Sequence, residues 1–185
     1  MIRQCDIELC RVFIVIDSIS SSDRSDIAEL YARIFSAPPW NEEWTVESAL
    51  VEFDEVSKKQ GFKGVCARKN QELVGFSWGY ALSDQNTSRV AFDKIVSELE
   101  LKGISLEDCF YGADTAVRED LRRLKIGTAM LKARNTDSSV LLFRTLNPAM
   151  VDCYRQLFGE EKFAFLEESA YAGGRIYVFG VQDES

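Results

Sequence analysis

The segment from Glu107 to Arg134 changes from strand-type to helix-type sequence across a short polar loop. Its first part, EDCFYGADTAV, contains the aromatic and branched residues that favour a β-strand. Its last part, IGTAMLKA, places apolar residues at the spacing of one helix face. A strand and a helix joined in this way must bury their apolar faces against other elements, so this chain requires a fold that combines a sheet with helices.

The rest of the chain repeats the same two patterns. Apolar stripes at helical spacing predict further helices over residues 27–35, 46–56, 92–99 and 148–158. Strand-type runs occur at residues 7–17, 62–68, 72–82, 140–145, 162–168 and 174–180. The order of these elements predicts an α/β or α+β fold with a mixed, mostly antiparallel central sheet flanked by helices.

Length and composition indicate one domain with its own core. The chain has 185 residues, of which 46% are hydrophobic and 28% charged, which suits a globular domain that needs neither disulfides nor metal to fold. No repeat, linker or low-complexity tract interrupts it. We therefore predict a single domain over residues 1–185.

The acidic charge limits the partners of the chain. A formal net charge of -8 argues against nucleic-acid binding, because a polyphosphate partner calls for a basic surface. No run of ~20 apolar residues indicates a membrane span, and the start MIRQCDIELC does not resemble a signal peptide. The five cysteines are odd in number and contain no Cys-x-x-Cys pair. These features predict a cytoplasmic protein with reduced thiols, without nucleic-acid or membrane partners, and they leave a homodimer open.

Histidine is absent from the sequence. This excludes histidine-ligated metals, Ser-His and Cys-His nucleophiles and a histidine base, and we predict no metal cofactor. Any catalysis must therefore use Asp, Glu, Tyr, Cys, Lys or backbone groups.

Basic residues concentrate where the predicted helix begins after the strand: Arg118, Arg122, Arg123, Lys125, Lys132 and Arg134. A helix start directs backbone N–H groups and the positive end of its dipole to one point, and small residues such as Gly127 and Ala129 let a ligand approach closely. This arrangement predicts an anion or phosphate site. The alternative is an ordinary helix cap with a solvated basic face, and these residues alone do not decide between the two.

The run AVREDLRRLKIGTAML, from Ala116 to Leu131, resembles motif A of the GNAT superfamily of acyl-CoA-dependent N-acyltransferases. In that motif a strand ending in Val leads to Arg/Gln-x-x-Gly-x-Gly/Ala at a helix start. Gly127 and Ala129 fill the small positions, whereas Leu124 stands at the usual Arg/Gln position and Lys125 at a common glycine position. The resemblance implies a coenzyme A site made by Ala116, Val117, Arg122, Arg123, Leu124, Lys125, Ile126, Gly127, Thr128 and Ala129.

A second segment, NPAMVDCYRQLFG, resembles motif B of the same superfamily. That motif has an Asn after the next strand, a Tyr seven residues later and a helix that ends at Gly, here Asn147, Tyr154 and Gly159. The two motifs stand in the family's order. Together they imply a GNAT-like fold in which two parallel strands, ending near Val117 and Thr145, splay into a V that admits the pantetheine of coenzyme A.

The resemblance also implies roles in acyl transfer. The N–H near Val117 would polarise the thioester carbonyl, Asn147 would contact the pantetheine arm, and Tyr154 would protonate the departing thiolate. An ammonium group must lose a proton before it attacks, so a carboxylate is needed as base. Asp114 is the first choice, followed by Glu42 or Glu43. A surface role for Asp114 and a core packing role for Tyr154 are the alternatives.

The loop WNEEW lies between the first two predicted helices. Carboxylates flanked by tryptophans suit a cationic amine, which predicts an acceptor site formed by Trp40, Glu42, Glu43 and Trp44. The alternative is a polar connector. Two functions follow from the whole sequence: an acetyl-CoA-dependent N-acetyltransferase that acts on a cationic small molecule or peptide amine, or a catalytically inactive acyl-CoA-binding sensor domain with the same fold.

Overall fold

A computed structural model of the chain describes residues 7–9, 12–82, 96–97, 99–101, 103–134, 140–145, 147–159, 163–168 and 175–179. The chain divides into two compact units. The first contains Met1–Lys58, Phe62–Trp78 and Asp114–Asn135, and the second contains Lys59–Gly61, Gly79–Ala113 and Thr136–Ser185. The boundaries at Trp78/Gly79 and Ala113/Asp114 each fall within a strand.

The sheet of the first unit has the strand order β1-β2-β3-β4-β5. The strands are β1 Ile7–Leu9, β2 Val12–Ser18, β3 Lys63–Lys69, β4 Glu72–Ala81 and β5 Cys109–Val117. Strands β1 and β2 are antiparallel, as are β2 and β3. The predicted hairpin between Arg68 and Glu72 is confirmed by the turn at Asn70 and Gln71, both of which have positive φ.

Three helices belong to the first unit: α1 Arg24–Phe35, α2 Val46–Ser57 and α3 Ile126–Ala133. Thr45 caps α2 as predicted, since its side chain accepts a hydrogen bond from the Ser48 amide. Arg24 on α1 donates two hydrogen bonds to Asp54 on α2, at 2.7 and 2.6 Å. This contact joins the two helices that precede and follow the WNEEW loop in the sequence.

Helix α3 packs directly on the sheet through a single apolar cluster. Its members are Ile14, Ile16, Val65, Ala67, Val74, Leu121, Ile126, Ala129 and Met130. Ile126, in the first turn, and Met130, one turn later, are at most 2% exposed, so this face of the helix is held against the strands. The start of α3 is thereby held at the end of β5.

The second unit contains the sheet order β4-β5-β6-β8-β7. Its further elements are β6 Val140–Thr145, helix α4 Pro148–Phe158, β7 Phe163–Glu168 and β8 Arg175–Phe179. Strands β5 and β6 are parallel, with register pairs from Cys109–Val140 to Gly112–Phe143, whereas β8 is antiparallel to both β6 and β7. The predicted separation of the ends of β5 and β6 stays a prediction.

These elements confirm the predicted fold class, a mixed sheet with helices. One predicted element is wrong: residues 7–17 were predicted as one strand, but they contain two antiparallel strands, β1 and β2, in which Leu9 pairs with Val12. The sequence between them has no Gly, Pro or Asn to indicate a turn. The helix predicted at residues 92–99 lies partly outside the described residues, although residues 99–101 are helical. The single domain stays a prediction.

Where the structure describes the chain, it contains no helix with the length and apolar character of a bilayer span.

Candidate functional site

A short connection joins the end of β5 to the start of α3. The Arg118 amide donates to the Val74 carbonyl at 2.9 Å, which extends the sheet contact one residue past the strand. A 3₁₀ turn over Glu119–Leu121 follows, and Leu121 is buried in the apolar cluster. The connection is therefore anchored on both sides, while Arg122, Arg123 and Lys125 are exposed.

The two residues that give this connection its shape have left-handed backbone conformations. Arg123 has a φ of 66° and Lys125, the N-cap of α3, has a φ of 59°. Side chains with a Cβ disfavour this region by roughly 1–2 kcal/mol per residue. Lys125 thus occupies a conformation that glycine adopts at little cost, at the position where the GNAT motif commonly has glycine.

The first turn of α3 presents its amides outward along the helix axis. The Ala129 amide donates to the Lys125 carbonyl at 3.0 Å and closes the first helical bond. The N–H groups that precede it in the turn are therefore not part of the helical ladder and carry the positive end of the dipole. This geometry suits a phosphate ligand.

Gly127 in that first turn has room for a side chain. A Cβ placed on it would have Val117 Cγ2, at 3.9 Å, as its nearest neighbour, which is an ordinary contact distance. Packing within the protein therefore does not require a glycine here. Glycine is less favourable than alanine in a helix, so neither packing nor helix propensity accounts for a glycine at this position.

The basic residues around α3 have different positions. Arg122, Arg123 and Lys125 are exposed, and Arg122 Nε donates to the Val117 carbonyl at 3.2 Å. Arg118 instead binds Glu72 and Asp120, at 2.5 and 2.7 Å, and its hydrogen bond lowers the pKa of Asp120. The exposed three are the ones available to a ligand at the start of α3.

The remaining predicted coenzyme A residues lie on the same strand end and helix. Ile126 and Ala129 are buried and Thr128 is half-buried. Leu124 packs against the apolar cluster, which gives a structural reason for a leucine where the motif usually has a charged or amide side chain. Ala116 is buried in β5 and Val117, at its end, is half-buried. The first unit therefore brings all ten motif A residues to one place.

Asp114, the first choice for a base, makes a specific contact with the neighbouring strand. Its Oδ2 accepts a hydrogen bond of 2.8 Å from Nε1 of Trp78, and the carboxyl group is half-buried. Trp78 itself is 0% exposed. Asp114 is thus held beside the aromatic residues of the first unit and is not a freely solvated surface acid.

The WNEEW loop packs against the same aromatic residues. Trp44 Nε1 donates to Glu42 Oε2 at 2.6 Å, and the Trp44 ring meets the Tyr31 ring edge-on at 4.8 Å. Trp40 lies against Phe35, with ring centroids 5.5 Å apart. Glu43, by contrast, is exposed. The structure therefore separates two glutamates that the sequence treats alike.

Tyr31 connects the two tryptophan–carboxylate pairs. Its ring stacks on Trp78 with centroids 5.7 Å apart and contacts Trp44 as well. The sequence analysis missed both Tyr31 and Trp78 as site residues. Tyr31 belongs to the apolar stripe that predicted the helix over residues 27–35, so its packing role was all that the pattern indicated. A buried tryptophan in a strand needs a hydrogen-bond partner for its N–H, but the sequence does not say which residue provides it.

In the second unit, the three motif B residues lie in α4 or at its two ends. Tyr154 is 2% exposed and its ring stacks on Phe143 of β6 at 3.8 Å. Asn147 is the N-cap, with Oδ1 accepting from the Ala149 amide at 3.0 Å. Gly159 ends the helix with a φ of 93°. Packing and capping explain part of this pattern, and the chemical roles of both side chains stay predictions.

Two of the described thiols, Cys66 and Cys109, are poor nucleophiles. Burial raises the pKa of Cys66 to about 11 and that of Cys109 to about 12. A thiol with such a pKa is almost entirely protonated at neutral pH. Within the described ranges, no three Cys, Asp or Glu side chains form a group that could hold a metal ion.

The sequence matches no family profile and no curated protein. Solved structures are nevertheless similar in fold. A GNAT-family acetyltransferase from Staphylococcus aureus matches with a TM-score of 0.59 and 14% identity, covering 91% of this chain and 99% of that one. A protein from Salmonella typhimurium solved with its cofactor acetyl-CoA matches with a TM-score of 0.60 and 13% identity, over 93% and 96%.

Diaminobutyrate acetyltransferase from Paenibacillus lautus, solved with L-2,4-diaminobutyric acid and coenzyme A, is a third similar structure. It has a TM-score of 0.55 and 15% identity, and covers 90% of this chain and 94% of its own. Together with the strand order and the β5–α3 connection, these similarities show that the chain has the fold of the GNAT acetyltransferases.

Proposed function

We propose that this protein is an acetyl-CoA-dependent N-acetyltransferase that acts on a cationic amine. The observation that carries the proposal is the start of α3. There, outward amides, three exposed basic residues and a glycine that the protein's own packing does not require converge on one point. Two similar structures contain acetyl-CoA or coenzyme A, which supports the same ligand here.

The residues of the first unit would hold the cosubstrate through its phosphates. The amides from Leu124 to Ala129 would bind the pyrophosphate, and Arg122, Arg123 and Lys125 would neutralise it. Bound acetyl-CoA supplies a thioester whose carbonyl carbon accepts a nucleophile. The Val117 N–H would stabilise the negative charge that develops on the carbonyl oxygen.

Asp114 is the proposed general base. An ammonium acceptor gives one proton to this carboxylate, and the neutral amine then forms a C–N bond as the C–S bond breaks. Tyr154 is the proposed proton donor to the thiolate. The nitrogen loses a second proton as the amide forms, and this proton restores the one that Tyr154 gave to the thiolate. Asn147 is the proposed contact of the pantetheine arm. The reaction thus yields an amide, a thiol and one released proton.

The proposed acceptor binds at the aromatic and acidic residues of the first unit. Glu42 and Asp114 each place a carboxylate beside a tryptophan, and the net charge of -8 favours the approach of cations. Aromatic faces and carboxylates together recognise ammonium groups. A polyamine, an aminoglycoside-like compound or a basic peptide terminus therefore fits better than a neutral or acidic acceptor.

An acceptor screen tests the proposal. Acetyl-CoA is incubated with the protein and cationic, neutral or acidic amines, and release of free thiol is followed. Thiol release that requires a cationic amine, with one acetyl group on the product nitrogen, is the expected result. Tight binding of acetyl-CoA with no thiol release from any amine would instead indicate the non-catalytic acyl-CoA-binding domain.

A further inference from the structure

The contact between Trp78 and Asp114 is supported on every side. The Trp78 ring is fully buried and stacks on Phe76 with centroids 4.4 Å apart. Tyr31 stacks on it at 5.7 Å, and Phe53 packs at the same distance in a tilted orientation. A ring enclosed in this way has one available orientation, so the direction of its N–H bond is fixed.

The backbone of the same residue is also fixed. Arg134, which follows α3 and is 3% exposed, donates from Nη1 to the Trp78 carbonyl at 2.8 Å and to Ser77 Oγ at 3.0 Å. Ser77 Oγ lies 2.8 Å from Thr115 Oγ1 on β5. Because neighbouring residues of a strand face opposite sides, β4 and β5 are joined by side chains on both faces at this level.

We propose that Trp78 is a positioning residue for the proton transfer carried out by Asp114; this inference rests on the proposed function. The indole N–H holds Oδ2 and thereby orients the carboxylate, which takes the proton from the acceptor ammonium. Trp78 itself touches no reacting atom.

Removing only the N–H tests this role. Trp78→Phe keeps an aromatic ring, and a protein with benzothienylalanine at position 78 keeps both rings but has sulfur in place of N–H. We expect kcat to fall on the order of tenfold in both forms, with the KM for acetyl-CoA unchanged. The second form answers the question if the smaller ring of the first lowers stability too far.

The decisive comparison is a double-mutant cycle with Asp114→Asn. If Trp78 acts through Asp114, the loss of the N–H has no further effect on kcat in the Asp114→Asn background. Equal losses in both backgrounds, or an unchanged kcat in the sulfur form, would overturn the inference while acetyl transfer by the unchanged protein stands. Turnover that survives Asp114→Asn overturns it too.

Phe76→Leu is the matched control, because it removes one packing contact of Trp78 but keeps the N–H and the contacts with Tyr31 and Phe53 that hold the ring. We expect this variant to lower the melting temperature with kcat close to that of the unchanged protein. A kcat loss as large as that of the N–H deletions would assign the effect to packing and refute the positioning role. If the unchanged protein acetylates no amine, the proposed function fails, and the inference fails with it.

Discussion

Trp44 Nε1 donates a 2.6 Å hydrogen bond to Glu42 Oε2, which distinguishes Glu42 from the exposed Glu43 beside it. The bond holds the Glu42 carboxylate at the edge of the Trp44 ring, which the Tyr31 ring meets edge-on at 4.8 Å. A carboxylate fixed beside aromatic rings is pre-organised for an ammonium group. Glu43 is exposed and has no such contact with a tryptophan among the described residues.

Glu42→Gln is therefore expected to raise the KM for a cationic amine on the order of tenfold, the loss of one charge-assisted hydrogen bond. The KM for acetyl-CoA should not change, and the salt dependence of the amine KM should flatten. Glu43→Gln is the control and should change the amine KM less than threefold, or roughly 0.6 kcal/mol. Equal effects of the two substitutions would show that only the total charge of the loop matters.

Gly127→Ala is expected to weaken acetyl-CoA binding by ~10-fold or more, which corresponds to about 1.4 kcal/mol. The protein itself accommodates the methyl group, since its nearest neighbour would be Val117 Cγ2 at 3.9 Å. The melting temperature should stay equal or rise, because alanine favours a helix. Titration calorimetry with acetyl-CoA and a thermal melt of the same sample separate the two effects.

Lys132→Ala provides the control for this measurement. Lys132 is exposed in the last turn of the same helix and is not among the proposed ligand residues. Acetyl-CoA affinity should therefore be unchanged in it. An unchanged affinity in Gly127→Ala as well would mean that no ligand approaches this turn closely.

Tyr154→Phe is expected to lower kcat on the order of 10²-fold while the affinity for acetyl-CoA stays nearly intact, because only the transition state needs the proton. The substitution removes one oxygen and preserves the ring that stacks on Phe143 at 3.8 Å. The fold should therefore survive. An unchanged kcat would show that water protonates the thiolate and that Tyr154 is a packing residue.

The local parts of this fold could be predicted from the sequence because the signals are local. Thr45 caps α2 and Gly159 ends α4, as expected from their residue types alone. Strand β6 was predicted at its observed bounds, Val140–Thr145, from its apolar run. Such features depend on a few neighbouring residues, so one sequence is enough to find them.

The contacts of the candidate site could not be predicted in the same way. Trp78 and Asp114 are 36 residues apart and meet because β4 and β5 are neighbours in the sheet. Arg134 was grouped with the basic residues at the helix start, yet it is buried and binds the Trp78 carbonyl. Residue type gives the capacity for a hydrogen bond, whereas the partner depends on strand pairing.

Lys125→Gly is expected to stabilise the protein by about 1 kcal/mol, because Lys125 has a φ of 59° that disfavours any residue with a Cβ. Lys125→Ala is the matched control: it removes the same charge and keeps the Cβ, so no stabilisation is expected. The Lys125→Gly variant should thus have a higher melting temperature than the Lys125→Ala variant, whereas within a helix alanine is normally more stable than glycine. The usual order at this position would contradict the observed backbone conformation.

The last prediction concerns Asp23, which is buried just before α1 and whose carboxylate forms an ion pair with Arg68. Asp23 Oδ2 also accepts from the Ser20 amide at 2.8 Å, which is part of the capping box of the 3₁₀ turn Ser21–Asp23 that precedes α1. Arg68→Leu leaves this carboxylate buried without its cation and should cost roughly 3–5 kcal/mol of the free energy of unfolding. Urea unfolding followed by circular dichroism measures the loss.

Two further variants show whether the stranded charge is the cause. Arg68→Leu combined with Asp23→Asn should recover part of the loss, because the neutral amide needs no counter-charge. Arg24→Leu breaks the ion pair between Arg24 and Asp54, whose side chains are 39% and 38% exposed, respectively. This substitution should cost less than about 1 kcal/mol of the free energy of unfolding. Similar losses in the Arg68 and Arg24 variants, or no recovery in the double variant, would show that burial of Asp23 does not set the energy of its ion pair.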